Sequence, residues 1–169
     1  NADDLADTAS LWKVSLNPSG QRAPNTADLK DSTGGSPCGG NYRDFSGQIG
    51  IVGTPVIDTT SNTLYVATKS IDINGNFHDY INALDLKTGQ HKPGSPHLIT
   101  AQVNGTGTGS VNGQISYQAK YQNQRPGLLL YNNTVYVASA SYCDWGPYHG
   151  WILGFDASTL NLKYTYNTT

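Results

Sequence analysis

The sequence predicts an all-β protein, and within that class a segment of a β-propeller made of four-stranded antiparallel blades. Three observations predict it. The 169-residue chain is rich in strand formers, with 11 tyrosines and 3 tryptophans. It has no methionine, and all 12 acidic residues are aspartates; Met and Glu favour helices, while Tyr, Thr, Val and Ile favour strands. Gly (19) and Pro (8) are frequent, as many short strands joined by turns require. Finally, residues 55–70 (PVIDTTSNTLYVATKS) match residues 126–141 (PGLLLYNNTVYVASAS) without a gap, 71 positions on. A repeating four-strand unit is the sequence mark of a propeller blade.

The register holds across the unit. Pro55 meets Pro126, Asn62 meets Asn133, and Tyr65-Val66-Ala67 meets Tyr136-Val137-Ala138. It survives into the next strand, where Asp85 meets Asp156, and each Asp opens a D-x-x-T turn ending at Thr88 or Thr159. A two-sheet sandwich would need this offset to persist by chance. A third copy of the turn is expected at 4–8, ahead of Leu11-Trp12.

Four strands are expected in each unit. The first lies at 53–58 and at 127–131, and the second at 63–70 and at 134–141. The third lies at 80–86 and at 151–156, and the fourth at 96–103 and at 160–166. In the second strand Leu64, Val66 and Thr68 alternate with Tyr65, Ala67 and Lys69, giving two distinct faces. The turns at Thr60-Ser61-Asn62 and Asn132-Asn133 use residues that tolerate left-handed backbone. The expected organisation is one partial domain. It comprises the end of a preceding blade (1–16), a loop (17–48), a blade (49–103), a loop (104–121) and a second blade (122–169).

Composition narrows the partners. The net charge is -2 and the 10 Lys and Arg are scattered, so nucleic acid is not expected to bind. No apolar run approaches the roughly 20 residues that span a bilayer. The start at Asn1 reads as a processed product, and the expected location is secreted, extracellular or periplasmic. Cys38 and Cys143 are too few for a zinc site; they form either a disulfide, which suits secretion, or two free thiols. Among the N-x-S/T sequons, Asn132 at a hairpin tip and Asn104 are the candidate glycosylation sites.

Two clusters are candidate ligand sites. Asn123, Gln124 and Arg125 precede the innermost strand of the second blade, where an Arg among amides suits a carboxylate or hydroxyl-rich ligand. The opposing reading pairs Arg125 with a local carboxylate such as Asp144, or sets it on carbonyls. Asp144, Trp145, Tyr148 and His149 share the loop between the second and third strands, where aromatic rings with a carboxylate and an imidazole can stack on a sugar or hold a cation. The opposing reading packs Trp145 and Trp151 between blades and bonds His149 to backbone. The Asp72-to-Asn76 run reads as a turn, because it lacks the alternating acidic ligands of a calcium loop. No catalytic residue and no metal-ligand spacing emerges.

The stretch Ala83-Leu84-Asp85-Leu86-Lys87-Thr88-Gly89 resembles the pyrroloquinoline-quinone-like (quinoprotein-dehydrogenase-like) propeller repeat. So do Gly50 to Asp58, Gln122 to Leu130, and Gly146-Pro147-Tyr148-His149-Gly150-Trp151. The resemblance implies a ring of seven or eight blades, completed by further blades or other copies of the chain. It also implies a quinone cofactor with calcium if the complete ring is an alcohol or sugar oxidoreductase. Docking tryptophans that follow Thr-Gly in such enzymes are missing after Thr88-Gly89 and after Thr159-Leu160, and only Trp12 holds a comparable place. The expectation is a non-catalytic secreted scaffold, with a quinoprotein oxidoreductase or a carbohydrate-binding propeller as alternatives.

Overall fold

The structure, a computed structural model, describes residues 9–30, 33–40, 42, 45 and 47–168. The expected turn at 4–8 lies outside these residues. The described chain is all-β, with antiparallel pairing throughout. Its strands are β1 (Gln21–Arg22), β2 (Val56–Asp58), β3 (Thr63–Asp72), β4 (Phe77–Asp85), β5 (His97–Leu98), β6 (Gln102–Asn104), β7 (Gln114–Ser116), β8 (Gln122–Asn123), β9 (Leu129–Tyr131), β10 (Thr134–Ser141), β11 (Gly150–Asp156) and β12 (Leu162–Thr168). Among the described residues Thr26–Asp28 forms a short 3-10 turn, and Pro37–Gly40 forms a second turn whose backbone is left-handed at Cys38 and Gly39.

Two five-stranded sheets dominate. In the first, β3 pairs with β4 and β4 with β5, while β1 and β2 share the other edge of β3. In the second, β10 pairs with β11 and β11 with β12, while β8 and β9 share the other edge of β10. The expected four-strand order is therefore present in each, but its first strand is split. In the first sheet half of that strand comes from β1, far upstream, whose Gln21 opposes Asp72. The expected fourth strand at 96–103 is also shorter. Pro93 and Pro96 carry no N–H for the ladder, and β6 leaves to pair with β7 in a separate hairpin over 102–116.

The turns recur atom for atom. Asp85 Oδ1 accepts from the Lys87 N–H, the Thr88 N–H and the Thr88 hydroxyl. Asp156 Oδ1 accepts from Ser158, Thr159 and the Thr159 hydroxyl in the same way. The Leu86 N–H donates to Asn62 and the Ala157 N–H to Asn133, each at 3.0 Å. The next position is left-handed in both, Gly89 at φ +70 and Leu160 at φ +59. A Cβ on Gly89 would lie 2.6 Å from the Trp12 ring, whose Nε1 donates to the Leu86 carbonyl at 3.0 Å. Leu160 accepts the left-handed penalty of about 1–2 kcal/mol because its side chain is fully buried in the core, which contributes more, about 1.5–3 kcal/mol.

The sheets pack face to face. Tyr65, Ala67, Ile81 and Ala83 of the first meet Val135, Val137, Trp151, Leu153 and Phe155 of the second in one core. The Tyr65 hydroxyl crosses the layer to the Ala157 carbonyl at 2.7 Å. The far face of the first sheet is covered too: Val66 and Leu84 are buried beneath a segment carrying Trp12, Val14 and Leu16.

Three turn carboxylates make stability sensitive to acid. The Asn76 amide and backbone, with His78, hold Asp72 at about 2 against its ordinary 3.8. Hydrogen bonds from Thr88 lower Asp85, and those from Ser158 and Thr159 lower Asp156. A depressed carboxylate stabilises fully above its unfolded value and loses that contribution as pH falls through its folded value. Acid unfolding followed by tryptophan fluorescence should steepen from 3.8 towards about 2. The triple variant Asp72→Asn, Asp85→Asn, Asp156→Asn should lose less stability across that window.

Candidate functional site

β8 places the first cluster. It leaves the 104–121 connection and pairs Gln122 with Ser141 and Asn123 with Ala140. Gln122 is buried and spent on structure. Its Oε1 accepts from the Ser139 hydroxyl at 2.9 Å, and its Nε2 donates to the His149 carbonyl at 3.2 Å. Asn123 Nδ2 donates to the Tyr42 hydroxyl at 3.2 Å. Gln124 Nε2 folds back onto the Pro126 carbonyl at 2.7 Å. Arg125 is exposed and forms no ion pair with Asp144; its guanidinium borders a groove of about 350 Å³ with Tyr42, Phe45, Gln48, Ile51, Val52 and Asn123.

The second cluster divides. Trp145 is buried, 8% exposed, with its ring 4.7 Å from that of Tyr121 and Lys120 Nζ 5.8 Å over it. It belongs to a small loop core with Leu29, Tyr42, Ile49 and Tyr142, not to the layer between the sheets, where Trp151 does pack. His149 is buried, and its Nε2 donates to the Thr108 carbonyl at 2.8 Å. Asp144 and Tyr148 face solvent. Tyr148, 47% exposed, borders a second groove of about 370 Å³ with Gly107, Thr108, Pro147 and His149. The structure thus leaves the two clusters in separate grooves.

Cys38 and Cys143 are joined in a disulfide. It ties the loop that carries Tyr42 to the loop that carries Trp145, so it fixes one wall of the Arg125 groove. Asn132 lies exposed at the β9–β10 tip with φ +46. Asn104 ends β6, where its side-chain oxygen accepts from Gln114.

Sequence reasoning missed a buried polar centre behind the groove. Lys69 and Asp79 are cross-strand partners on the face that packs against the second sheet. Lys69 Nζ lies 2.6 Å from Asp79 Oδ1, with side-chain exposures of 5% and 3%. The Tyr117 hydroxyl donates to Asp79 Oδ2 at 2.7 Å, and Lys69 also donates to the Ala119 carbonyl. Burial pushes Lys69 down and Asp79 up, each against the attraction of the other. It pushes the Tyr117 and Tyr142 hydroxyls well up. The signal was present in the alternation that sets Lys69 beside Tyr65 and Ala67. What it lacked was the knowledge that this face is covered.

No protein-family model matches the chain, and no curated protein matches it.

Trp145→Ala should cost about 3–5 kcal/mol, the range for emptying an aromatic core site. Arg125→Gln and Tyr148→Ala should each stay within about 0.5 kcal/mol, as exposed positions do. Urea unfolding of the three variants checks this ordering.

Proposed function

We propose that this chain is a two-blade section of a quinoprotein-like β-propeller that serves as a non-catalytic, secreted scaffold, with a ligand groove beside Arg125. One observation carries the architecture. Tyr65, Ala67, Ile81 and Ala83 form the first sheet's face that is buried against the second sheet. Their counterparts 71 residues on, Tyr136, Ala138, Ile152 and Gly154, form the outer face of the second sheet. Around them Leu129, Tyr131, Tyr164 and Tyr166 are 57%, 61%, 54% and 62% exposed, and Tyr136 stacks on Tyr164 at 6.4 Å. The surface that buries one sheet is thus presented again, open. A contiguous apolar face of this kind marks an interaction site, and its covered counterpart supports another blade as the occupant, from the rest of a ring or from a second copy. Trp12, seated on Gly89, supports the same reading from the other side. The disulfide suits an oxidising compartment.

The Arg125 groove lends no support to the quinone and calcium of the oxidoreductase alternative. Calcium takes about six to eight oxygen ligands, carboxylates prominent among them. The described side chains there supply two amides, one phenol hydroxyl and a guanidinium, with no carboxylate among them. The carbohydrate alternative loses Trp145 to the loop core and retains Tyr148 at the second groove.

Light scattering coupled to size exclusion tests the architecture. The chain should self-associate in a concentration-dependent way. Ile152→Asp, at a position 42% exposed, should abolish association while leaving the fold intact. A monodisperse 18.1 kDa monomer that binds no hydrophobic dye would overturn the reading. Adding the quinone and calcium should leave the cofactor's absorbance unchanged; a shift lost in Arg125→Gln would favour the oxidoreductase instead.

A further inference from the structure

The buried centre behind the groove does more than neutralise charge. We propose that Lys69 and Asp79 condense into an intramolecular isopeptide bond that cross-links β3 to β4. This inference is independent of the propeller reading and rests on the geometry of three side chains, one backbone carbonyl and one cavity.

The reactants are held together. They face each other across the ladder, Nζ is one hydrogen bond, 2.6 Å, from the carboxyl oxygen, and both are almost wholly buried. Holding amine and carboxyl in one place removes the entropy cost of bringing them together. Much of the shell is apolar: Ile49, Val52, Ala67 and Ile99 line the adjoining cavity beside the polar Thr68, Asn123 and Gln124, and the Phe77 ring lies 6.0 Å from Nζ. Burial favours the uncharged amine and the uncharged acid, which are the species that react.

The step balances. The lone pair of the neutral Lys69 amine adds to Asp79 Cγ, forming the C–N bond. Negative charge develops on Oδ2, where the Tyr117 hydroxyl already donates at 2.7 Å. The bond from Cγ to Oδ1 then breaks with its electron pair. Oδ1 departs as water, carrying the carboxyl proton and one amine proton. No oxidant, reductant or co-reactant enters.

The surroundings suit the product. The new amide keeps one N–H, and the Ala119 carbonyl that now accepts from Lys69 is placed to receive it. The new carbonyl, Oδ2, retains Tyr117. Water has a place to go: a cavity of about 10 Å³ touches both Lys69 and Asp79, close to the smallest that holds one water. Asn123 and Tyr142 line it, and each carries a buried polar atom without a partner, Oδ1 and the hydroxyl.

Mass spectrometry of the reduced, denatured full chain decides the matter. The expected mass is one water below that of the sequence. A protease digest should yield a branched peptide joining Lys69 to Asp79. Lys69→Arg should return the full mass, and Tyr117→Phe should slow the condensation about 100-fold, as loss of an oxyanion donor does. Full sequence mass in the folded, aged wild-type protein overturns the proposal without recourse to any variant. So does a lost water that maps to a succinimide at another aspartate.

Discussion

The layer between the two sheets is the constraint on which the rest depends. Each sheet must bury one face, and each does so against the other, with Trp151, Leu153 and Phe155 set against Tyr65, Ile81 and Ala83. A buried aromatic or branched side chain contributes about 1.5–3 kcal/mol, so this layer outweighs any single polar contact. It also imposes a cost. Lys69 and Asp79 lie at its edge, and buried polar groups of this kind are tolerated only when they find partners. Tyr117 and Ala119 supply two of those partners. The connection from 104 to 121 is thereby pinned, and pinning it delivers β8 to the edge of β10. Arg125 stands at its groove because a lysine distant from it in the sequence needed partners.

Much of this was legible in the sequence, and the reasons are local. The Asp85 and Asp156 turns were readable because their hydrogen bonds run within four residues of the aspartate. The hairpins were readable because alternation and Asn turns set them, although β3 and β4 extend further than expected, to Asp72 and from Phe77. The Asp72 run is the turn it was expected to be, with the carboxylate saturated by its own loop. What escaped depends on distant chain. Nothing near Gln21 announces that it completes an edge opposite Asp72. Nothing near Val66 shows that its face is covered by Trp12 and Val14.

The candidate site was legible by residue and less so by role. Arg125 was expected either to meet a ligand or to be consumed by Asp144, and the pair with Asp144 does not form. Trp145 was expected either to stack on a sugar or to pack between blades, and it packs in the loop core instead. Both outcomes follow from the loop at 17–48, whose Tyr42 and Phe45 sit 5.6 Å apart and pack against Tyr142. A glycine- and proline-rich loop carries no periodicity from which such packing can be read.

The disulfide has a topological consequence beyond bracing one wall. Cys38 and Cys143 are 105 residues apart, so the bond closes a circuit containing most of both sheets. A protease that cuts the exposed hairpin tip at Gly75, or any other point inside that circuit, opens a ring and does not divide a molecule. The two pieces stay tethered until the disulfide is reduced, and the packed layer between the sheets can persist across the nick.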